Sequence, residues 1–363
     1  MTKTVLDLTR DELGGALMEL GHPRYRGEQI FRWLHARGAR TWDEMVDIPG
    51  SLRAALAERW SPVAVVVRES HASKIDEAVK YRLALADRRE IEAVWLPQAR
   101  WVAACLSSQV GCAYKCVFCA TGLMGLGRNL TPGEIVDQVR ILMREKPKPA
   151  LTNLVLMGMG EPMANLDAVL TAIRILTDPA GLAFVPRRVT VSTSGLPDGI
   201  RKLAASGLKT RLAVSLHAAD DETRVRLVPH AMKWPISALM AACKDYSKAV
   251  PRLPVTFEYV MLDGVNDSAA AARRLVKCLH GLKSLVDLIP WNPVPGLPYR
   301  RTPQERIVEF QNTLMNSGIL TRIRKSKGQD IAAACGQLVL GQKSRGGQDS
   351  RRGRPSGRPA VHA

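Results

Sequence analysis

A chain of 363 residues predicts about two domains at roughly 150 residues each, and its 46% hydrophobic content is ample for packed cores. Lys and Arg outnumber Asp and Glu by 52 to 34, a formal net charge of +18, which points to a polyanionic partner, most simply nucleic acid. No run of ~18 apolar residues occurs, and the opening MTKTVLDLTRDELGG has early acids and no apolar leader core, so a cytoplasmic protein without a membrane span or secretory leader is expected.

Residues 1–60 read as helical. RYRGEQIFRWLHARG sets Ile30, Phe31, Trp33 and Leu34 on one face, and SLRAALAERW repeats the amphipathic pattern. Residues 61–97 hold the alternating runs VAVVVRES, YRLALAD and EIEAVWLP, which predict a small antiparallel sheet.

From about residue 98 strands and helices alternate. The strand candidates are ACLSSQVG, LTNLVLMG, RVTVSTSG, RLAVSLHA, VTFEYVML and LVDLIPWNP, with helices predicted near 132–145, 164–177, 197–206, 235–248, 268–281 and 303–317. The first helix opens with TPGE, where Thr131 caps, Pro132 suits the first turn and Glu134 completes a capping box. Six strand–helix units predict a parallel sheet wound as a full or partial barrel, with a doubly wound open sheet as the alternative. Five strands end in QVGC, GMGEP, STSG, SLH and WNP. In a barrel these ends converge on one mouth, where catalytic groups gather. Residues 341–363, with +5 of the charge and little to bury, predict a disordered basic tail.

Seven cysteines, at 105, 112, 116, 119, 243, 278 and 335, are an odd number for a disulfide scaffold and suit metal or redox chemistry. Cys243 and Cys278 lie in helical stretches and read as small hydrophobes. Cys112, Cys116 and Cys119 stand as C-x3-C-x2-C without a nearby fourth ligand. That spacing fits a closed zinc site poorly and a four-iron cluster with one open iron well. Phe118 would give such a cluster an apolar wall.

This C-x3-C-x-aromatic-C stretch resembles that of the radical S-adenosylmethionine (SAM) enzymes. SSQVGCAYKCVFCATGLMGLGRNLTPGEI, VLMGMGEPMANLD, RRVTVSTSG, AVSLHA, YVMLDGVND, LIPWNPVPG and DIAAACGQL, in that order, resemble the RlmN family of dual-specificity 23S rRNA/tRNA adenine-C2 methyltransferases, a resemblance that runs from about residue 5 to 340 and includes the N-terminal FRWLH segment. The resemblance implies an α/β fold: a radical SAM partial (β/α)6 TIM-type barrel at 98–340, an N-terminal helical RNA-binding accessory domain at 1–60 and a short β extension at 61–97. It implies a [4Fe-4S] cluster on Cys112, Cys116 and Cys119, and SAM contacts from Gly160, Glu161, Ser192, Ser215, Leu216, His217 and Asn292. Cys335 would carry the methyl group, Cys105 would form a disulfide with it, and Glu92 would accept a proton.

The chemistry explains the extra cysteines. Adenine C2 is electron-poor and has no lone pair for direct attack on a SAM methyl group. In the family a thiolate, here Cys335, first takes a methyl from one SAM. A second SAM is cleaved to a 5′-deoxyadenosyl radical, which activates the S-methyl group for addition to C2. Glu92 would then remove the C2 proton, and Cys105 would release the product by forming the disulfide, which is reduced before the next turnover.

The implied partners are 23S rRNA, tRNA and an electron donor such as a flavodoxin-like protein; a monomer is expected. The target base must be presented unstacked. Basic candidates for RNA contact are Arg24, Arg26, Arg32, Arg37, Arg187, Arg188, Arg300, Arg301, the RIRKSKG run at 322–328 and the tail. Three alternatives stay open: a Cfr-like C8 methyltransferase, a non-methylating radical SAM enzyme, and a non-enzymatic iron–sulfur RNA-binding regulator.

Overall fold

The computed structural model describes residues 3–146 and 148–338; the basic tail lies outside them. Helices α1 (Arg10–Glu19), α2 (Tyr25–Phe31) and α3 (Gly50–Arg59) build the N-terminal unit. Its ends pair in parallel as the short strands β1 (Lys3–Thr4) and β2 (Trp60–Ser61). Thr9 and Glu12 form a capping box at the start of α1. Ile30, Phe31 and Leu34 are fully buried, while Trp33 lies at the edge of that face with its indole N–H on Asp47.

Strands β3 (Val65–Ala72), β4 (Val79–Leu85) and β5 (Glu90–Pro97) are antiparallel, as the alternating runs predict. They do not form a sheet of their own. β5 pairs with β6 (Val102–Cys105), so the extension continues into the barrel sheet.

The first barrel strand is shorter than ACLSSQVG suggests. β6 ends at Cys105, and β7 (Gln109–Cys112) forms a separate hairpin with β8 (Gly125–Asn129), enclosing α4 (Ala120–Leu123). The break lies at Ser107, whose hydroxyl donates to the Glu92 carbonyl at 2.6 Å and accepts from Met159 N–H at 2.9 Å. These side-chain bonds stand beside the last backbone bonds to the neighbouring strand, where the chain leaves the sheet.

Then follow α5 (Pro132–Glu145), β9 (Asn153–Leu156), α6 (Leu166–Thr177), β10 (Val189–Thr193), α7 (Pro197–Ala205), β11 (Arg211–Ser215), α8 (Asp221–Leu227), α9 (Ile236–Ala249), β12 (Val255–Met261), α10 (Ala269–Leu279), β13 (Ser284–Pro290), α11 (Gln304–Asn316) and β14 (Leu320–Ile323). The expected cap on α5 is present. From β6 through β9 to β14 the strands are parallel, and sequence neighbours are spatial neighbours. A doubly wound sheet reverses its strand order at a switch point; this one never does, so it is a partial barrel. β14 is a parallel strand beyond the six expected.

Helix α5 carries the N-terminal unit. The Arg140 guanidinium, paired with Asp137 at 2.8 Å, donates to the carbonyls of Leu34, Ala39 and Pro62. Asp137 accepts from the Ala64 and Val65 N–H groups. This buried pair is satisfied on both sides, as a buried charge must be.

Candidate active site

The C-terminal ends of the barrel strands surround a cavity of about 170 Å³. Cys112, at the end of β7, and Cys116 and Cys119, in the loop after it, line the cavity, with Phe118 and Trp291 as apolar walls. All three are free thiols. Burial pushes Cys112 up to about 12 and Cys116 well above its ordinary value. Among the described residues no three His, Cys, Asp or Glu side chains converge on a single ion. Three thiols around one cavity instead fit a four-iron cluster, in which each cysteine holds a different iron.

The GMGEP turn follows β9. Gly160 has φ +104°, and a Cβ there would come within 2.6 Å of Gln109 Cβ, so only glycine fits. Glu161 is buried and lines the cavity. One carboxylate oxygen accepts from Ser194 N–H and Oγ at 2.7 and 2.6 Å, the other from Met163 N–H at 3.0 Å. Burial raises its pKa, and these donors pull it back. The Met163-bonded oxygen retains a lone pair for a ligand amine.

Ser192, at the end of β10, and Ser215, at the end of β11, both line the cavity. Leu216 is not among the lining residues: its side chain is fully buried and its N–H donates to the Glu258 carbonyl at 3.0 Å. His217 sits at φ +58° with its ring 4.6 Å from Phe118. Its Nδ1 accepts from Val260 N–H at 3.0 Å, which leaves the proton on Nε2. Burial, aided by Arg224, drops its pKa to about 3 and keeps the ring neutral.

The chain after β14 closes the mouth. Asn292 Nδ2 donates to the Cys335 carbonyl at 3.1 Å, and its Oδ1 accepts from Gln329 at 2.8 Å. Ala120 N–H donates to the Gly336 carbonyl at 2.7 Å, and Thr121 Oγ1 to that of Leu338 at 2.6 Å. The C-terminal segment is thus stitched to the three-cysteine loop. Cys335 is exposed within the mouth, where it lines the main cavity and a second one that Cys105 also lines. Both thiols are free, so the implied disulfide is not formed in this structure. Burial raises Cys105 to about 12, and desolvation inside the mouth raises Cys335.

Glu92 is buried on β5 with Lys80 Nζ 3.1 Å away. Strand register lines up Lys80, Val94 and Cys105 in one row. Glu92, two residues from Val94, faces the same side.

Several site residues escape sequence reading. Ser194, rather than its neighbour in STSG, holds Glu161. Arg224 is fully buried and donates to the Ser194 carbonyl at 2.6 Å. Glu258 and Asp287 are buried, register-paired acids that share Arg324. A single acid inside an apolar strand, as in VTFEYVM and LVDLIP, is the signal that could have found them.

The basic candidates divide. In the RIRKSKG run, Arg322 grips Asp287 at 2.8 Å and Arg324 spans Asp287 and Glu258, so these two hold the barrel edge together. Arg24 and Arg32 pair with Asp11 and Glu28. Arg300 pairs with Asp263 at 3.5 Å but remains 83% exposed. Arg37 stacks on Trp33 at 4.1 Å and Arg26 on the exposed Tyr25 at 5.1 Å. No helix among the described residues is long and apolar enough to cross a membrane.

Residues 106–276 match the Radical SAM superfamily, and residues 3–61 match the ribosomal RNA large subunit methyltransferase N-terminal domain. The dual-specificity RNA methyltransferase RlmN of Syntrophobacter fumaroxidans is 44% identical over 336 residues, covering 92% of this chain and 97% of the relative. The probable dual-specificity RNA methyltransferase RlmN of Thermus thermophilus is 46% identical over 340 residues, 93% of each chain. The crystal structure of a radical SAM methyltransferase from Sphaerobacter thermophilus superposes with a TM-score of 0.89 at 45% identity, covering 93% of this chain and 99% of that one.

Proposed function

The chain belongs to the RlmN family of radical SAM RNA methyltransferases, enzymes that use a [4Fe-4S] cluster and SAM, and from that premise we propose that it methylates C2 of an adenosine in 23S rRNA and of one in the tRNA anticodon loop. The observation that carries this reading is the position of Cys335, open on one side to the cavity of Cys112, Cys116 and Cys119 and on the other to Cys105. A carrier thiol must reach both the SAM site and its resolving partner.

In this reading Cys112, Cys116 and Cys119 hold the cluster, which when loaded with SAM supplies the radical that activates a methyl group. Gly160 lets the backbone approach SAM, Glu161 accepts from its amino group, and Ser192, Ser215, Leu216, His217 and Asn292 complete the contacts. The Cys335 thiolate attacks the SAM methyl carbon, and its sulfur holds that carbon until it is bonded to C2. Glu92 takes the C2 proton. Cys105 then attacks the Cys335 sulfur, forming the disulfide as the carbon leaves with the RNA.

Residues 1–60 serve as the RNA-binding accessory unit, 61–97 as the β extension and 98–340 as the catalytic core. The stacked pairs Arg37–Trp33 and Arg26–Tyr25 offer cation and ring surfaces suited to RNA. The enzyme works as a cytoplasmic monomer with a flavodoxin-like electron donor, since the disulfide needs a reducing compartment.

Mass spectrometry of nucleosides from rRNA and tRNA, with and without the protein, tests the reading. It expects 2-methyladenosine in both RNAs only when the protein is present. 8-Methyladenosine would assign the C8 reaction instead, and no change in methyladenosine would overturn the methyltransferase reading.

A further inference from the structure

Arg224 is fully buried in α8, and among the described residues its guanidinium makes one hydrogen bond, from Nη2 to the Ser194 carbonyl at 2.6 Å. Its Nε and Nη1 are buried without a hydrogen-bond partner among the described residues. A guanidinium stays charged in proteins, and burying one without an anion is costly. The fold nevertheless reserves space for it. Gly195, at φ +106°, lacks the Cβ that would come 2.5 Å from Arg224 Nη2.

Val117 N–H donates to the Leu227 carbonyl at 3.1 Å, fastening the end of α8 to the loop between Cys116 and Cys119. Cys116 is the largest favourable charge partner of Arg224. In return, Arg224 favours the Cys116 thiolate, against Cys119, Cys112 and Glu161. The nearby rings of His217 and His230 are held neutral by burial and by Arg224 itself, at about 3 and about 4. Asp221, three residues before Arg224 in α8, is its next charge partner, and the Asp221 Oδ1 accepts from Ile236 N–H at 2.7 Å.

We propose that Arg224 is the buried counter-charge of the three-cysteine loop, and that it sets how readily a cluster held there accepts an electron. The proposal rests on the reading of Cys112, Cys116 and Cys119 as cluster ligands. Adding an electron makes the site more negative, so a fixed cation with donors available to the sulfurs favours the reduced state. Arg224 is a positioning residue: it touches no substrate.

The test is an EPR-monitored redox titration of anaerobically reconstituted holoenzyme. Arg224→Met should lower the equilibrium constant for one-electron reduction at least tenfold, a negative shift of about 59 mV, whereas Arg224→Lys should retain most of the wild-type value. Equal potentials in all three proteins would overturn the proposal and leave the ligand reading intact. If Arg224→Met does not fold, wild-type holoenzyme labelled with [15N]arginine provides the second measurement. Its reduced cluster should show a 15N hyperfine coupling that Arg224→Lys lacks, and absence of that coupling overturns the proposal. A wild-type protein that assembles no four-iron cluster removes the ligand reading, and the proposal falls with it.

Discussion

The ammonium of Lys80 stands 3.1 Å from the Glu92 carboxylate and also donates to the Ala332 carbonyl at 3.2 Å. One cation thereby ties the proposed base to the segment carrying Cys335. Both side chains are largely buried, at 11% and 3% exposure. Removing one member of such a pair costs about 3–5 kcal/mol, because the other charge stays behind. Lys80→Met should therefore lower stability by that amount in urea denaturation, and Lys80→Met combined with Glu92→Gln should recover most of it. Additive losses in the double variant would show that the pair is not coupled.

Asn292 holds the same segment from the other side, through Gln329 and the Cys335 carbonyl. Truncating it leaves both partners short of a bond, at about 1–3 kcal/mol. Asn292→Ala should raise amide hydrogen exchange across residues 329–338 at least tenfold and slow S-methylation of Cys335 by a similar factor. Unchanged exchange would mean that the other ties, at Gly336 and Leu338, suffice.

Gly160→Ala places a methyl group against Gln109 while forcing a φ that L-residues resist. Gln109 cannot retreat freely, since its Oε1 accepts from Glu161 N–H and its Nε2 donates to Asn129. We expect a loss of about 1–3 kcal/mol and weakened SAM affinity in equilibrium binding. Gly15→Ala, inside α1 where a Cβ meets nothing within 4 Å, is the control expected to leave SAM affinity unchanged and to raise stability by about 0.5–1 kcal/mol.

How much could be read beforehand depends on whether a residue's partner is local. The parallel barrel follows from hydrophobic runs, and the Thr131 cap from four adjacent residues. The glycine of GMGEP and the spacing of the three cysteines are equally local. Ser194 and Ser192 share one strand-end motif, and only the distant Glu161 shows which of them binds it. Arg224 lies in DETRVRL, which has the composition of a solvated helix; its burial depends on Gly195 and the cysteine loop. β14 is hidden by Arg322, whose partner Asp287 lies 35 residues earlier in the chain.

His35 gives a stability prediction separate from the catalytic site. Its ring packs 4.3 Å from Phe31 with both nitrogens buried and unpartnered among the described residues, and burial, aided by Arg140, drops its pKa from 6.5 to about 3. The unfolded chain thus takes up the proton first. The contribution of His35 is complete above pH 6.5 and is lost as pH falls towards 3. Stability of the wild type should decline more steeply than that of His35→Phe by about 1.4 kcal/mol per pH unit across that window. Parallel curves in denaturant titrations at stepped pH would refute this.

The carrier role of Cys335 is tested most directly by isolating the protein from cells making each cysteine variant and measuring covalently attached RNA. Cys105→Ala can bond to its substrate but cannot release it, so a protein–RNA species joined at Cys335 should accumulate and survive denaturation. Cys335→Ala, with no sulfur to carry the carbon, should yield none. Equal, background levels of RNA on both variants and the wild type would contradict the account.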